Sequence, residues 1–593
     1  MSDKKQPDAE QGWWHKVRSR IKQLWLPIII LLITGIGLAC ALYFPQSIFP
    51  TPSNLNDTSA SQTPSTPDSK EISHTIQSPS NSDRQNAPVL LAQSNLRLAI
   101  LYITGGAIAV MGLIETFRRN NNEKLKNDQE KEKNDRDHLR QVRAGRRERY
   151  TKAVEQLGDE KAPIRMGGVY TLVGLVDEWL EDESIDKYED RLKEGQVIIN
   201  NLCAYIRSPF TLASHYDELS KDIPTGSYKD KEQDFYIDKA KLDSEADVRL
   251  SIIKEIHNRL QGTEELPWGT WSDFEYDFSG STFFYPVNLT KSYYKKPVNF
   301  GGSTYRSLAY FFHSTYRSLA YFVNSTYHKS AHFGGSTHQS WADFHNSTYQ
   351  GRADFHNSTY QDLANFHNST YQGRADFSHS TYKGRANFSH STYKGEANFS
   401  HSTYQGEANF RRSTYKGRAY FTGSTYKGRA YFTGSTYKSW ANFRRATYKG
   451  EADFSGSIFC SEIYFGYSTH SDSSSRFTGC APQFYNKTNR KNALFGSHNN
   501  DFTADTSEGY PINLNSEGIP PGCKFLTSEQ KEYLEGKLQE IEKINNKLRE
   551  VKDPKEKEEL LKKLRSLNKE LHDWREKATT VQVEDVAAEN TES

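Results

Sequence analysis

Histidine is the first residue type to weigh. His345, His356 and His367 directly follow a phenylalanine in successive repeats, and His379, His390 and His401 stand one place later. Imidazole titrates near neutrality and is the commonest metal ligand, so rings stacked every second repeat could form a metal-binding ladder. These positions point outward, however, and no carboxylate or cysteine recurs beside them to orient the rings. The reading is solvent-facing histidine, with no metal and no other cofactor expected. Five cysteines (Cys40, Cys203, Cys460, Cys480 and Cys523) are scattered without a C-x-x-C pair. That argues against a zinc site or a disulfide framework and fits a reducing compartment. A nucleophile–base arrangement, a phosphate-cradling loop and H-E-x-x-H are all lacking. No catalytic residue is assigned, and the chain is read as no enzyme.

Charge is the second chemically active feature. The whole chain is nearly neutral, at +2, but Phe300 to Phe454 holds eighteen Lys or Arg against eight Asp or Glu. Arg411, Arg412, Lys416, Arg418, Lys427, Arg429, Arg444 and Arg445 form the candidate basic interaction face. A stripe of this kind can bind nucleic acid, anionic lipid or an acidic protein. The competing reading is solubility, since any rod needs charges outside. A regular threonine column, Thr381 to Thr425, is explained by strand propensity.

What must position these groups is a repeat. Phe377, Phe388, Phe399, Phe410, Phe421, Phe432 and Phe443 occupy every eleventh position, and Tyr382, Tyr393, Tyr404 and Tyr415 each follow a Phe by five. One unit reads A-[DN]-F-x-x followed by S-T-Y-x-G-x. Positions i and i+5 do not share a helix face, whereas alternate residues of a strand face one side. Ala386, Ala397 and the aromatic two places on therefore point inward, the Asn, Asp or Thr between them points out, and Gly and short polar residues turn the corners. A buried Phe contributes roughly 1.5–3 kcal/mol, while ordering each backbone residue costs roughly 1–2 kcal/mol. One unit alone cannot fold, so the units must stack into a solenoid. Two units per coil, with coils about 4.8 Å apart, give eight or nine coils between Phe278 and Phe465. The structural ladder is assigned to Phe377, Tyr382, Phe388, Tyr393, Phe399, Tyr404, Phe410, Tyr415, Ala386 and Ala397.

These triplets resemble the pentapeptide-repeat family, whose motif is A-[DN]-[LF]-x-x. The resemblance implies a right-handed, four-sided β-helix with Phe388, Phe399 and Phe410 at the central inward position and Ala386, Ala397, Ser391 and Ser402 at the small one. The sixth residue on every second side marks a Phe-rich, 11-residue variant. Some members are implicated in mimicking DNA; that needs an acidic surface, and this one is basic. The strings RRERYTKAVEQLG, APIRMGGVYTLVGLVDEW and NNLCAYIRSPF further resemble the helical region of actinobacterial membrane-anchored pentapeptide-repeat proteins.

The flanking chain supplies the remaining elements. Leu24–Phe44 has 21 uncharged residues and Leu98–Ile114 has 17, lengths that suit membrane spans. Basic residues crowd residues 1–23 and 118–149, while residues 45–94 hold only Lys70 and Arg84, which places both termini in the cytoplasm. A cleaved signal peptide is the alternative for the first span. The expected order is a basic N-terminus (1–23), transmembrane helix (24–44), disordered outer loop (45–94) and second transmembrane helix (95–117). A charged linker or stalk (118–146) and an α-helical domain (147–262) follow, the latter with a capping box at Ser244 and Asp247. Then come the β-helix (270–465), an irregular cap or linker (466–523), an α-helical hairpin or oligomerising coiled coil (524–578) and a disordered tail (579–593). Asn545 interrupts the apolar positions of the penultimate helix.

The functional expectation is a non-enzymatic scaffold at the plasma (inner) membrane, multi-pass, presenting a cytoplasmic rod to unidentified protein partners. Homo-oligomerisation through the C-terminal helices is a further expectation. The alternative is a module that binds nucleic acid or an anionic surface through the basic face.

Overall fold

The computed structural model describes residues 9–49, 87–467, 473–551 and 553–580. Most of the outer loop and of the tail expected to be disordered lie outside the described residues. Residues 1–144 and 145–593 form two compact units. In the first, α1 (Ala9–Ile48) and α2 (Ala87–Leu157) contain the apolar stretches; α2 runs unbroken through residues 118–146, and its last turns belong to the second unit. Among the described residues two helices are long and apolar enough to cross a membrane, within Ile28–Ile48 and Leu91–Leu157, with mean hydropathies of 2.3 and 1.9. They approach closely where Gly37 meets Thr104, since a methyl group added at Gly37 would collide with the Thr104 side chain. Small residues at such contacts let helix backbones pack without a hydrophobic drive.

The second unit begins with a helical domain of α3 (Ala162–Leu180), α4 (Tyr188–Arg207), the single turn α5 (Tyr216–Leu219) and α6 (Glu232–Leu260). Val169, Leu172, Val176 and Trp179 recur at helical spacing and are buried against Ile199, Leu202, Ile252 and Ile256. The expected start of α6 at Ser244 is wrong. Helix α6 begins at Glu232, because Phe235 and Leu242 carry the buried stripe back toward the N-terminus. Arg249, 2% exposed, pins α6 to the end of α4. Its Nε donates to Glu245 at 2.7 Å, and its Nη atoms donate to the carbonyls of Ile206 and Ser208 at 2.8 and 2.9 Å.

From Tyr276 the backbone forms two-residue strands that close into a four-sided solenoid. Face 1 starts at Tyr276–Asp277, face 2 at Thr282–Phe283, face 3 at Val287–Asn288 and face 4 at Tyr293–Tyr294. Three faces are nine-stranded parallel sheets and face 2 has eleven strands. The register pairs Ala386 with Ala408 on face 1, Thr392 with Thr414 on face 2, Ala397 with Ala419 on face 3 and Thr381 with Thr403 on face 4. One coil is thus two copies of the repeat unit.

Each strand bonds to the coils above and below, as where Phe388 N donates to the Asn409 carbonyl at 2.7 Å and Lys394 N to the Tyr371 carbonyl at 2.7 Å. The alternation of Ala and Ser as the small inward residue has a physical reason. Ser391 Oγ donates to the Phe366 carbonyl at 2.9 Å and accepts from Ser369 N at 3.2 Å, satisfying buried backbone groups where the chain turns. Ala386, on a side whose own backbone bonds suffice, needs no hydroxyl.

The corners depart from expectation. Glycine of the x-G-x segment has an ordinary φ; it is required because corner backbones stack, so that a Cβ on Gly406 would stand 2.5 Å from the Gly384 carbonyl oxygen. The left-handed positions precede the serine and are filled by Asn346, His390, Arg412 and Gly434, among others. The Asp and Asn residues expected to face solvent are buried at Asp343, Asp354, Asp376, Asn409 and Asp453. They cap the next corner, as where Asp376 Oδ1 accepts from the amide and hydroxyl of Ser378 at 3.2 and 2.6 Å.

Both ends of the aromatic column are covered. At the first coil, Trp271 and Phe274 join the helical domain's core, Trp271 Nε1 donating to Asp177 at 2.8 Å. At the far end, residues 473–525 are not simply irregular. Arg476–Phe477 extends face 4, and Leu494–Phe495 and Lys524–Phe525 extend face 2. Phe477, Phe484 and Phe495 stack on Tyr448, Phe454 and Phe459 with centroids 4.8, 5.1 and 5.5 Å apart. The aromatic layers outlast the recognisable repeat.

Helices α7 (Ser528–Glu550) and α8 (Pro554–Ala578) make a hairpin. Thr527 and Gln530 close a reciprocal cap at the start of α7, and Asp553 caps α8 ahead of Pro554. Leu534, Leu538, Ile541, Leu567 and Leu571 pack on Ile458, Leu494 and Leu526 of the solenoid end. The stripe expected as a coiled-coil seam is therefore largely used within the chain.

Candidate interaction surfaces

Ladder side chains fill the interior of the solenoid. All ten ladder residues (Phe377, Tyr382, Phe388, Tyr393, Phe399, Tyr404, Phe410, Tyr415, Ala386 and Ala397) have no exposed surface. Phe377 and Phe399 stack at 5.0 Å and 2°, as do Phe388 and Phe410 at 5.0 Å, and the two stacks meet edge to face where Phe377 lies 5.0 Å from Phe388 at 76°. Tyrosines 382/404 and 393/415 stack at 4.9 Å on the other two sides. Offset and edge-on arrangements suit the ring quadrupole. Burial pushes the phenols of this column well above their ordinary value. The hydroxyls of Tyr415, Tyr437 and Tyr448 have no hydrogen-bond partner among the described residues.

One column member was not singled out from sequence. His338 occupies a tyrosine position, 1% exposed, between Tyr316 at 4.6 Å and Tyr360 at 4.9 Å. Neither ring nitrogen has a partner among the described residues, and burial pushes its pKa down to about 3. The signal was available: His338 stands where the S-T-Y triplet reads S-T-H.

The outward histidines divide between two corners. His345, His367 and His390 lie between faces 1 and 2, and His356, His379 and His401 between faces 3 and 4. Contrary to expectation, carboxylates do orient two of them, since the Nδ1 atoms of His345 and His356 lie 2.6 Å from Asp343 and Asp354. These are the repeat's own corner-capping aspartates. Burial alone would raise Asp354; hydrogen bonds from His332 and His356 outweigh it and hold the carboxyl below its ordinary range.

The eight residues assigned to one basic face do not share one. Arg411 and Arg412 lie at the corner between faces 1 and 2, Lys416 and Arg418 between faces 2 and 3, Arg444 and Arg445 between faces 3 and 4, and Lys427 and Arg429 between faces 4 and 1. The reason is the two-unit coil, which carries neighbours in sequence around the rod. Several are also engaged. Arg411 stacks on Tyr431 at 3.5 Å, Arg418 on Trp440 at 5.3 Å and Arg444 on Tyr464 at 4.4 Å. Lys416 pairs with Glu542 of α7 at 3.0 Å, and Arg429 with Glu451 one coil on at 3.7 Å.

A four-sided coil with Ala and Phe inside two sides and Ser and Tyr inside the others is the geometry of stacked pentapeptides. A family model described as Pentapeptide repeats matches residues 361–403 and 388–436, in nine copies. Residues 361–436 of the rod are pentapeptide repeats. The matched span is the most regular part of the solenoid; the coils before and after keep the same register with looser sequence. Comparison with curated proteins gave no match, and comparison with solved structures gave none either.

Proposed function

We propose that this chain is a membrane-anchored, non-enzymatic scaffold whose pentapeptide-repeat rod presents surfaces to protein partners on the cytoplasmic side. The observation that carries this reading is the filled interior. Stacked rings leave the solenoid only an exterior to work with, and that exterior repeats its side chains once per coil. Regular surfaces of this kind recognise partners by spacing along the array. The apolar stretches of α1 and α2 support anchoring by length and composition. The lysines and arginines flanking them support cytoplasmic termini.

Proximity labelling from the C-terminus in cells tests anchoring, side and partners together. The reading expects recovery in the membrane fraction after alkaline wash and labelling of a reproducible set of cytoplasmic proteins. A soluble chain, or labelling confined to the outer side, would overturn it. The second reading, nucleic-acid binding along the rod, is weakened by the dispersal of the basic residues over four corners. It expects salt-sensitive retention on DNA or RNA; lack of retention at low salt ends it. Self-association through α7 and α8 would have to use their outer faces, and cross-linking in detergent distinguishes a dimer from a monomer.

A further inference from the structure

A cleft of about 730 Å³ lies where the hairpin crosses face 2. Its floor is the threonine column from Thr348 to Thr414, and its roof is α7 and α8. Six ionisable groups line it, namely Lys394, Arg412, Lys416, Arg575, His390 and His572, and among the described residues no carboxylate does. Two nearby carboxylates are engaged: Glu542 holds Lys416 at 3.0 Å and also faces Lys394, and Glu576 holds Lys491 at 2.9 Å and also faces Arg412 and His572.

Arg575 is the decisive group. Among the described residues its Nε is shut off from solvent with no hydrogen-bond partner, and its Nη2 donates to the hydroxyl of Thr414 at 3.3 Å. No carboxylate pairs with it among the described residues. A guanidinium held in this way leaves a charge and a donor unmet, a state that costs free energy unless an anion completes it. Asn545, which interrupts the apolar positions of α7, and Asn568 of α8 add amide donors to the same space.

We propose that this cleft binds a short chain of phosphates, free or borne by a nucleotide. The volume falls within the range of small-molecule sites, roughly 300–1,000 Å³. The neutral donors run along the threonine column for three coil steps, about 14 Å at about 4.8 Å each, and the cations gather at the Thr392 and Thr414 steps, so the lining suits an elongated anion with its charge held at one end. Arginine supplies a fork, lysine a point charge and threonine a neutral donor, the set that recognises successive phosphoryl oxygens. This site does not depend on the scaffold reading and stands or falls separately.

The test is titration calorimetry on the full chain in uncharged detergent at about 0.15 M salt, with inorganic tripolyphosphate and, in parallel, ATP. Saturable binding of one tripolyphosphate per chain is expected. Equal affinity for ATP assigns recognition to the phosphates alone; tighter ATP binding adds the nucleoside, and weaker ATP binding selects the inorganic chain. Arg412→Gln and Asn568→Glu, both at exposed positions, should weaken binding roughly tenfold or more, the scale of one charge-assisted hydrogen bond. Arg575→Gln should do the same. Arg385→Gln, at the corner between faces 4 and 1, should leave binding unchanged. Absence of saturable heat with both ligands overturns the proposal, and so does equal weakening by Arg385→Gln, which would mean diffuse attraction to the rod.

Discussion

His338 shows what one residue can do inside a stack. Tyrosine's hydroxyl is replaced by an imidazole whose two nitrogens are buried and unpartnered, so protonation is strongly opposed, with the pKa down at about 3. In the unfolded chain the ring titrates near 6.5. Below that pH the unfolded state binds the extra proton, and stability falls as pH drops toward the folded value. His338→Tyr restores the column and should raise the melting temperature, with the larger gain at pH 5, where the linkage amounts to about 2 kcal/mol. Melts at pH 7 and pH 5 check this; an equal shift at both would show that packing alone is responsible. Gly406 makes the complementary case. Its Cβ would lie 2.5 Å from a backbone oxygen one coil away, and backbone cannot rotate aside. Gly406→Ala should destabilise the rod by about 1–3 kcal/mol, the usual cost of overpacking, read as a lower midpoint in the denaturant curve followed by β-sheet circular dichroism.

At the scale of elements, the helical domain depends on a buried cation. Glu245 accepts from Arg249 at 2.7 Å, from Arg165 at 3.2 Å and from Tyr205 Oη at 3.0 Å, while Arg249 also lies against the rings of Tyr205, Phe210 and Phe284. Phe284 belongs to the first coil, so this network joins α6 to the solenoid. Arg249→Leu keeps bulk but takes one of two arginines from the buried Glu245, leaving it Arg165 and Tyr205, and removes the donor to two backbone carbonyls. A loss of about 1.5–3 kcal/mol is expected, the scale of hydrogen bonds to a charged group, seen as early melting of the helical signal at 222 nm. These elements were legible to different degrees. Val169, Leu172, Val176 and Trp179 showed α3 by spacing alone. The start of α6 was missed because Ser244 and Asp247 imitate a cap in mid-helix, and only burial of Phe235 and Leu242 shows that the chain was already helical.

For the solenoid as a whole, the stacked tyrosines predict its behaviour in alkali. Burial holds the phenols far above their ordinary value of about 10. An unfolded chain ionises near that value and the folded one does not, so stability is complete below pH 10 and is lost as pH rises beyond it. Phenolate absorbance at 295 nm from the buried set should therefore appear together with the loss of β-sheet signal, as one cooperative step. Gradual ionisation with the sheet intact would mean that the column admits solvent.

Register is written in the chain itself. An aromatic at every eleventh position with a small residue two before it has one economical solution, a coil of two units with the rings inside, and local spacing carries all of that information. Packing alone settled where the polar groups went. Aspartates that alternate outward are buried because they cap corners. Basic residues close in sequence are scattered because two repeat units carry the chain once around. The cleft under the hairpin exists only because α7 and α8 fold back over face 2, which brings Arg575 to the distant Thr414. Periodicity acts between neighbours and can be read along the chain; the meeting of distant charges depends on how the elements pack, and no local pattern encodes it.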